Sequence, residues 1–266
     1  MIMSGEKSPD FLFAKSFANY AAISYILLVS AQLLHKSAII TGASRGIGAA
    51  VAELCADEGS QVFLIGRKEA ALISVADSIT ASGGNVHPII CDITHQEEVR
   101  KAFNEIGAKI DKLDILVNTA AILEKDLMEE IKEVNLLRIL EVNLLGAFRC
   151  CQAAINLMKD SWGSIINISS LSRVTGVRKF PGMGAHIISK YGLWGLTEIL
   201  SVEWAKYKIR VNAISPSGVD TPMFRVAFPG AEPPLAPIDI AKVCLYLASD
   251  DSASITGENI NVSGLK

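Results

Sequence analysis

Short runs of apolar residues recur along the chain, separated by longer stretches in which apolar and polar residues are mixed. Apolar runs without strict alternation are typical of strands buried on both faces of a parallel sheet. The mixed stretches, such as residues 47–58 and 68–81, are long enough for helices. The predicted strands comprise residues 37–41, 61–65, 86–90, 113–117, 164–168, 209–213 and 260–262. This alternation predicts an α/β fold with a single doubly wound parallel sheet of about seven strands and helices on both faces.

The segment before the first predicted strand has a different composition. Residues 17–34 carry no charge and are flanked by Lys15 and Lys36. This length is near the minimum for a helix that crosses a bilayer. The strand at residue 37 follows without a polar linker, however, which favours a helix packed on the body or on a partner. We expect an apolar N-terminal leader over residues 1–34, either a helix or a membrane anchor, and one domain over residues 35–266.

Composition and charge exclude several classes of partner. Half of the residues are apolar and 20% are charged, as in a globular protein. The net charge is −3 and no basic run occurs, so we expect no nucleic-acid partner. The histidines lack the spacing of metal ligands, so no metal is predicted. Five scattered cysteines without a CxxC pair favour a reducing compartment. We expect a cytoplasmic protein, with membrane association through residues 17–34 as the alternative.

A glycine-rich segment follows the first predicted strand and opens the first predicted helix. Its glycines allow a tight turn and a close approach of the backbone to a pyrophosphate, and the helix N-terminus offers unpaired N–H groups. This context of strand, loop and helix predicts a dinucleotide-binding, Rossmann-type domain. The candidate contacts in the loop are Gly42, Ser44, Arg45, Gly46, Ile47 and Gly48.

The residues after the second predicted strand favour NADP(H) over NAD(H). An acidic residue there would bind the ribose 2′-hydroxyl of NAD and repel a 2′-phosphate. This chain has Arg67 and Lys68 instead, and Arg45 lies in the neighbouring loop. Guanidinium groups can bind a phosphate dianion with two hydrogen bonds. The alternative is that Arg67 and Lys68 are solvated charges at the start of a helix.

Further motifs at residues 117–120, 142–148, 163–170, 210–216 and 221–223 make this chain resemble the short-chain dehydrogenase/reductase family, and within it the 3-oxoacyl-(acyl-carrier-protein) reductases. The resemblance covers residues 34–264. It implies hydride transfer between a nicotinamide cofactor and a carbonyl or alcohol, with Asn143, Ser170 and Lys190 at the reacting end. It also implies cofactor contacts by Asp92, Ile93, Asn118, Lys190, Pro216, Val219 and Thr221.

The family also assigns a task to most of these residues. It implies that Asp92 contacts the adenine and that Asn118 stabilises the strand beside the cofactor. Asn143 would hold a helix carbonyl and a water of the proton relay. Ser170 would polarise the substrate carbonyl, with Ser169 as the alternative, and Lys190 would bind the nicotinamide ribose.

One departure from the family pattern affects the proton transfer itself. The family has a tyrosine four residues before the lysine, and the charges of the lysine and of the oxidised nicotinamide lower its pKa. This chain has His186 there, on the same helix face as Lys190. A cation beside the imidazole favours its neutral form. Three interpretations stay open: a surrogate acid/base, loss of the catalytic group, or a regulatory role. Tyr191 is expected to be a packing residue.

Other departures concern the cofactor and substrate sides of the site. Ala121 and Ser217 stand where the family has glycine, and the segment over residues 223–240 that usually forms the substrate lid is short. We expect an NADP(H)-dependent short-chain oxidoreductase that interconverts a carbonyl and an alcohol, with His186 as its weak point. The alternatives are a non-catalytic dinucleotide-binding homologue that acts through binding or oligomerisation, and a membrane-tethered reductase of lipophilic carbonyls.

The same resemblance predicts assembly into a homodimer or homotetramer. Family members pair through two long helices, which correspond here to residues 133–159 and 186–206. The second of these carries more apolar residues than one sheet face needs to cover, namely Ile187, Leu193, Leu196, Leu200 and Trp204.

Overall fold

A computed structural model describes residues 31–159, 162–177 and 179–264. Seven strands in these residues form one parallel sheet in the order β3-β2-β1-β4-β5-β6-β7. They are β1 Ser37–Thr41, β2 Gln61–Gly66, β3 Asn85–Ile90, β4 Ile115–Asn118, β5 Ser164–Ile168, β6 Arg210–Pro216 and β7 Asn259–Val262. The predicted doubly wound parallel sheet is confirmed.

Helices connect the strands and cover both faces of the sheet. They are α1 Gly46–Asp57, α2 Glu69–Ala81, α3 Gln96–Gly107, α4 Glu133–Leu140, α5 Gly146–Met158, α6 Gly184–Glu203, α7 Pro222–Ala227 and α8 Pro237–Ala248. A π-helical turn, Glu141–Leu145, joins α4 to α5, and a 3₁₀ turn, Leu171–Arg173, follows β5. The long helix predicted over residues 133–159 is therefore interrupted.

The sheet separates two hydrophobic cores because successive side chains of a strand point to opposite faces. Ile40 of β1 packs with residues of α1, α2 and α8, whereas its neighbour Ile39 packs with residues of α3, α5 and α6. Every residue of β1, β4 and β5 is buried. This burial explains why these strands read as continuous apolar runs in the sequence.

Two predicted strands have different bounds in the structure. The Leu113 N–H donates to the Leu157 carbonyl at the end of α5, at 2.8 Å, so Leu113 lies outside β4. Strand β6 continues past its predicted end at residue 213, because β7 pairs with it as far as Pro216 and Val262. Both differences arise from partners that are distant in sequence.

The start of the described chain lies against the C-terminal end of α1. Leu33 is fully buried, and its N–H donates to the Glu58 carbonyl at 3.1 Å. The first 30 residues of the predicted leader lie outside the described residues. Within the described ranges, no helix is long and apolar enough to cross a membrane.

The apolar residues that suggested a subunit interface on the helix at 186–206 are mostly core residues. Leu193 and Leu200 are buried, and Leu196 and Trp204 pack against the core below α3, α5 and α6. That part of the prediction is wrong, because the residues were identified by type and not by helix face. The outward face of α6 carries other apolar side chains, namely Ile188, Tyr191, Ile199 and Val202.

The cysteines are buried inside the two cores. All five are thiols without a disulfide partner. Burial raises the pKa of Cys55 and of Cys151 to about 12, so neither forms a thiolate near neutral pH. In the described part of the chain, no cluster of histidine, cysteine, aspartate or glutamate has the arrangement of a metal site.

Candidate active site

A cavity of about 590 Å³ lies at the carboxyl ends of the strands. It adjoins β1, which pairs with β2 on one side and with β4 on the other, so the strand order reverses at this strand. Open α/β sheets bind ligands at such a reversal. The cavity brings together most of the predicted site residues. They are Gly42, Ser44, Arg45, Gly46, Ile47, Gly48, Arg67, Asp92, Ile93, Ser170, His186, Lys190, Pro216, Val219 and Thr221.

The glycine loop is packed too closely for larger residues. A Cβ on Gly42 would lie 2.7 Å from the Ala120 Cα, and a Cβ on Gly48 would lie 2.6 Å from the Thr119 Oγ1. The Thr119 hydroxyl donates to the Thr41 carbonyl and so supports the loop from below. Thr119 is not among the predicted site residues, because its contact with the loop depends on the pairing of β1 with β4.

Two charged side chains pair at the outer end of the loop. The Arg67 Nη1 donates to the Asp92 Oδ2 at 3.1 Å, and Thr94 donates to the other carboxylate oxygen. Partial burial opposes the charge on Asp92, but the hydrogen bonds from Thr94 and Arg67 together hold its pKa below the ordinary value. Arg67 and Arg45 both line the cavity, so two guanidinium groups flank this end.

Asn143 lies in the π-helical turn and connects three segments near the cavity. Its Nδ2 donates to the Ile122 carbonyl and to the Ser189 Oγ, each at 3.0 Å, and its Oδ1 accepts from the Ile122 N–H at 2.8 Å. The Ser189 hydroxyl donates in turn to the His186 carbonyl. Asn143 is not among the described cavity-lining residues, so it positions the chain behind them. Single π-helical turns are frequent at functional sites.

Asn118 also lies behind the cavity wall. Its Nδ2 donates to the Asn167 Oδ1 at 2.9 Å, and Asn167 donates to the Thr197 hydroxyl at 3.0 Å. This buried chain of hydrogen bonds connects β4, β5 and α6. Asn118 is not among the described lining residues, so the structure places it as a support of the strands beside the cavity.

Ser170 follows β5 and shares its hydroxyl with a second serine. The Ser170 Oγ accepts from the Ser172 N–H at 3.1 Å, and the two Oγ atoms are 2.8 Å apart. Either hydroxyl can donate in this pair. When Ser172 donates, both lone pairs of Ser170 are occupied, and the Ser170 proton is available to a ligand oxygen. Ser172 also lines the cavity, and sequence reasoning missed it.

The buried imidazole of His186 is neutral near physiological pH. Burial and the Lys190 charge lower its pKa to about 3, against the opposing effect of a hydrogen bond to the Ile122 backbone. The side chain is 5% exposed, and its Nδ1 has no hydrogen-bond partner among the described residues. Lys190 is 3% exposed, and its Nζ donates to the Ile168 carbonyl at 2.6 Å. Burial lowers the pKa of Lys190 to about 8.

Tyr191 cannot stand in for the family's phenol in this structure. It is 42% exposed on the outer face of α6 and is not among the described residues that line the cavity. The prediction that Tyr191 is a packing residue is wrong, because its side chain is exposed in the described chain. Ala121 and Ser217, which replace family glycines, both line the cavity.

Apolar side chains form the part of the cavity next to the serine and the histidine. Leu171 follows Ser170, and Leu123 follows Ile122. Met183 immediately precedes α6 and lies three residues before His186. We call this part the chamber; besides Leu171, Met183 and Leu123 it is lined by Phe180, Phe224 and Phe228. The shortened lid segment supplies two of these rings, from α7 and the residue after it.

Comparison with known proteins agrees with the fold. The family model described as Enoyl-(Acyl carrier protein) reductase matches residues 42–264, which is most of the chain. The chain belongs to the short-chain dehydrogenase/reductase family. Within this family, the resemblance to 3-oxoacyl-(acyl-carrier-protein) reductases is also confirmed, because several of its relatives carry that name.

Characterised members of the family include oxidoreductases of different substrates. A 3beta-hydroxysteroid dehydrogenase of Mediterraneibacter gnavus is 33% identical over 261 residues and covers 86% of this chain and 94% of its own. The 3-oxoacyl-(acyl-carrier-protein) reductase FabG of Aquifex aeolicus is 35% identical over 245 residues, with 88% and 98% covered. A solved structure from Beutenbergia cavernae, 28% identical, has a TM-score of 0.80 over 87% of this chain and 96% of its own, and contains NADP at low occupancy.

Proposed function

We propose that this protein is an NADP(H)-dependent oxidoreductase that interconverts a carbonyl and an alcohol, and that its proton transfer is slow because an imidazole replaces a phenol. The observation that carries this proposal is a shared cavity: the glycine loop, Ser170, His186 and Lys190 all line it. A bound nicotinamide dinucleotide supplies the hydride in such chemistry. The protein therefore has to bind the cofactor, orient the substrate and move a proton.

The residues of the groove fit a dinucleotide. A side chain at Gly42 or Gly48 would collide with Ala120, Thr119 or the loop backbone, so glycine is needed for the tight turn, and the N-terminus of α1 provides unpaired N–H groups. Arg45 and Arg67 favour a 2′-phosphate because both are cationic and no acidic residue ends β2. Asp92 already pairs with Arg67 and so reduces the net positive charge at this end. We expect a preference for NADP(H), smaller than two unpaired arginines would give.

The polar groups at the reacting end can polarise a carbonyl but donate a proton only weakly. Ser170 can donate a hydrogen bond to the substrate oxygen. His186, with its pKa near 3, carries a single ring proton and is a poor acid in that neutral state. Lys190 holds a positive charge in the same buried region through its bond to Ile168. These three residues support binding and orientation more strongly than they support proton transfer.

The cofactor part of the proposal is tested by a fluorescence titration with NADPH and NADH at low salt. We expect NADPH to bind several-fold more tightly, and added salt to narrow the difference because the 2′-phosphate interaction is electrostatic. Equal affinities would remove the claim of preference, and tighter binding of NADH would reverse it. The same sample is then assayed with simple ketones and with 3-oxoacyl thioesters, for which we expect slow reduction.

The second candidate is a protein that binds the dinucleotide without turnover. The buried, neutral imidazole with an unpartnered Nδ1 favours it, because no strong general acid among the described residues replaces the phenol. Both candidates bind NADPH, so turnover alone separates them. Cofactor binding without measurable reduction of any carbonyl in the panel would select the binding-only function.

A further inference from the structure

The chamber next to Ser170 and His186 presents almost entirely carbon to a bound ligand. The Phe180 and Phe228 rings meet edge to face at a centroid distance of 5.5 Å, and Phe224 lies 5.3 Å from Phe228. Leu123, Leu171 and Met183 complete the wall. None of these six residues can donate or accept a strong hydrogen bond through its side chain.

Two described cations near this wall, on Lys125 and Arg225, already have partners. The Lys125 Nζ donates to the Ala227 carbonyl at 3.1 Å and lies 4.7 Å from the centre of the Phe228 ring. Arg225 on α7 pairs with Asp220 at 2.8 Å and with Glu232 at 3.7 Å. Neither cation is among the described residues that line the cavity.

Most charged residues that line the cavity lie at the end away from the chamber. The remaining one, Lys190, lies below the reacting atoms. Arg45, Arg67, Lys68 and Asp92 belong to the glycine loop and the ends of β2 and β3, where the nucleotide is expected. Lys190 is bonded to Ile168 beside the serine. A carboxylate or phosphate in the chamber would therefore lose its hydration without gaining a described partner, which is unfavourable.

We propose that the chamber accepts an uncharged, largely apolar carbonyl compound or alcohol and excludes substrates that carry a carboxylate or phosphate within it. This inference rests on the proposed function and adds the class of its substrate. A compact alicyclic ketone matches the chamber, because a rigid apolar ring packs against aromatic side chains without losing conformational freedom.

The test compares two ligands that share one ring and one ketone, one neutral and one anionic. They are ethyl 4-oxocyclohexanecarboxylate and the free 4-oxocyclohexanecarboxylate. Each is titrated by calorimetry into the full-length protein, with and without saturating NADP⁺, which cannot reduce the ketone, so that binding is measured independently of turnover. We expect the ester to bind at least tenfold more tightly than the acid.

A variant at the exposed edge of the cavity provides the converse experiment. Val177 lines the cavity and is partly exposed, so a longer side chain there can reach solvent. Val177→Lys is expected to strengthen binding of the acid severalfold and to leave binding of the ester within twofold. Val177→Met is the matched control, because its side chain has similar length and no charge. It should leave the affinities for the acid and for the ester unchanged.

The outcomes separate this inference from the proposed function. The assignment of the chamber is overturned if ester and acid bind equally, if the acid binds more tightly, or if the ester does not bind, even if NADPH binds. Failure of NADPH to bind overturns the proposed function. The titrations without NADP⁺ then decide the chemistry of the chamber by the same criteria.

Discussion

At the scale of single residues, we propose that His186 limits how fast a proton can reach the substrate oxygen. A tyrosine at this position would place a phenol beside the Lys190 charge and supply a general acid, a contribution of about 10²–10⁴-fold. We expect His186→Tyr to raise kcat/KM for ketone reduction at least tenfold without changing the affinity for NADPH. Steady-state kinetics on one substrate panel measure the change, and circular dichroism confirms equal folding.

The His186→Ala variant is the control for that experiment. Brisk wild-type turnover that neither His186→Tyr nor His186→Ala changes would show that the imidazole is outside the proton path. If wild type and His186→Tyr both bind NADPH and are both inert, the defect lies elsewhere, with Ala121 and Ser217 as the next positions to test. The binding-only function would then be better supported than the oxidoreductase function.

The same imidazole makes stability depend on pH. Burial and Lys190 lower the pKa of His186 from 6.5 to about 3 in the folded protein. Between these values the unfolded chain binds a proton that the folded protein excludes, so stability decreases as the pH falls through this window. From pH 7 to pH 5 we expect this residue alone to reduce the free energy of unfolding by about 2 kcal/mol.

Urea unfolding at both pH values measures this effect against a variant without the titrating group. His186→Gln keeps a polar side chain of similar size, and the carboxylates that also titrate are common to both proteins. The wild type should lose about 2 kcal/mol more than His186→Gln between pH 7 and pH 5. Equal losses would mean that the imidazole can be protonated in the folded protein.

Ser172 is expected to orient the hydroxyl that polarises the substrate. Its N–H and hydroxyl both contact the Ser170 Oγ, so Ser172→Ala removes one of two hydrogen bonds that leave the Ser170 proton available. We expect kcat for ketone reduction to fall about two- to tenfold, the value of one hydrogen bond, with the NADPH affinity unchanged. Ser172→Thr keeps the hydroxyl and should restore most of the rate. An unchanged kcat in Ser172→Ala would assign Ser172 to the local turn alone.

At the scale of elements, the predictions succeeded where the information is local. The glycine loop and the strand β1 are adjacent in sequence, and the residue types of a tight phosphate-binding turn are few. The chamber could not be predicted, because Phe180 and Phe228 are 48 positions apart in the sequence and meet only when the chain between them has folded. The interruption at Glu141–Leu145 could not be predicted either, because residue type does not distinguish a π-helical turn from an α-helical one.

The outer faces of α4, α5 and α6 carry exposed apolar residues at helical spacing. One set comprises Val134, Leu137, Leu145 and Phe148, and the other comprises Ile188, Tyr191, Ile199 and Val202. Exposed apolar surface of this extent indicates an interaction site. We keep the prediction of a homodimer or homotetramer and assign it to these faces, in place of the core residues that the sequence suggested.

A single charge on this surface should weaken assembly. Val202 is 73% exposed in the chain, so Val202→Glu is compatible with the fold. In an assembly through these faces the carboxylate would be buried without a partner, and we expect at least a tenfold increase in the dissociation constant. Light scattering at micromolar concentration measures it. Ile73→Glu on the exposed part of α2 is the matched control and should leave the assembly intact; a monomeric wild type would contradict the prediction.

At the scale of the whole molecule, the central strands explain why the family could be predicted from the sequence and the substrate class could not. The strands β1, β4 and β5 are buried on both faces and carry the loop, Asn118 and Ser170 at their carboxyl ends. Their sequence is therefore constrained by packing and by the cofactor at once. The substrate side is built from loops and from the short helix α7, where residue choice is less restricted by the core.

The support that Thr119 gives to the glycine loop bears on how the protein acquires its site during synthesis. The hydroxyl that bonds to the Thr41 carbonyl comes from a residue 78 positions later in the chain. Pairing over such a separation is slow compared with local helix formation. On a ribosome, the loop emerges early, yet it has no support until β4 has followed it. Newly made chains should therefore gain affinity for the dinucleotide late, after most of the first half of the sheet has assembled.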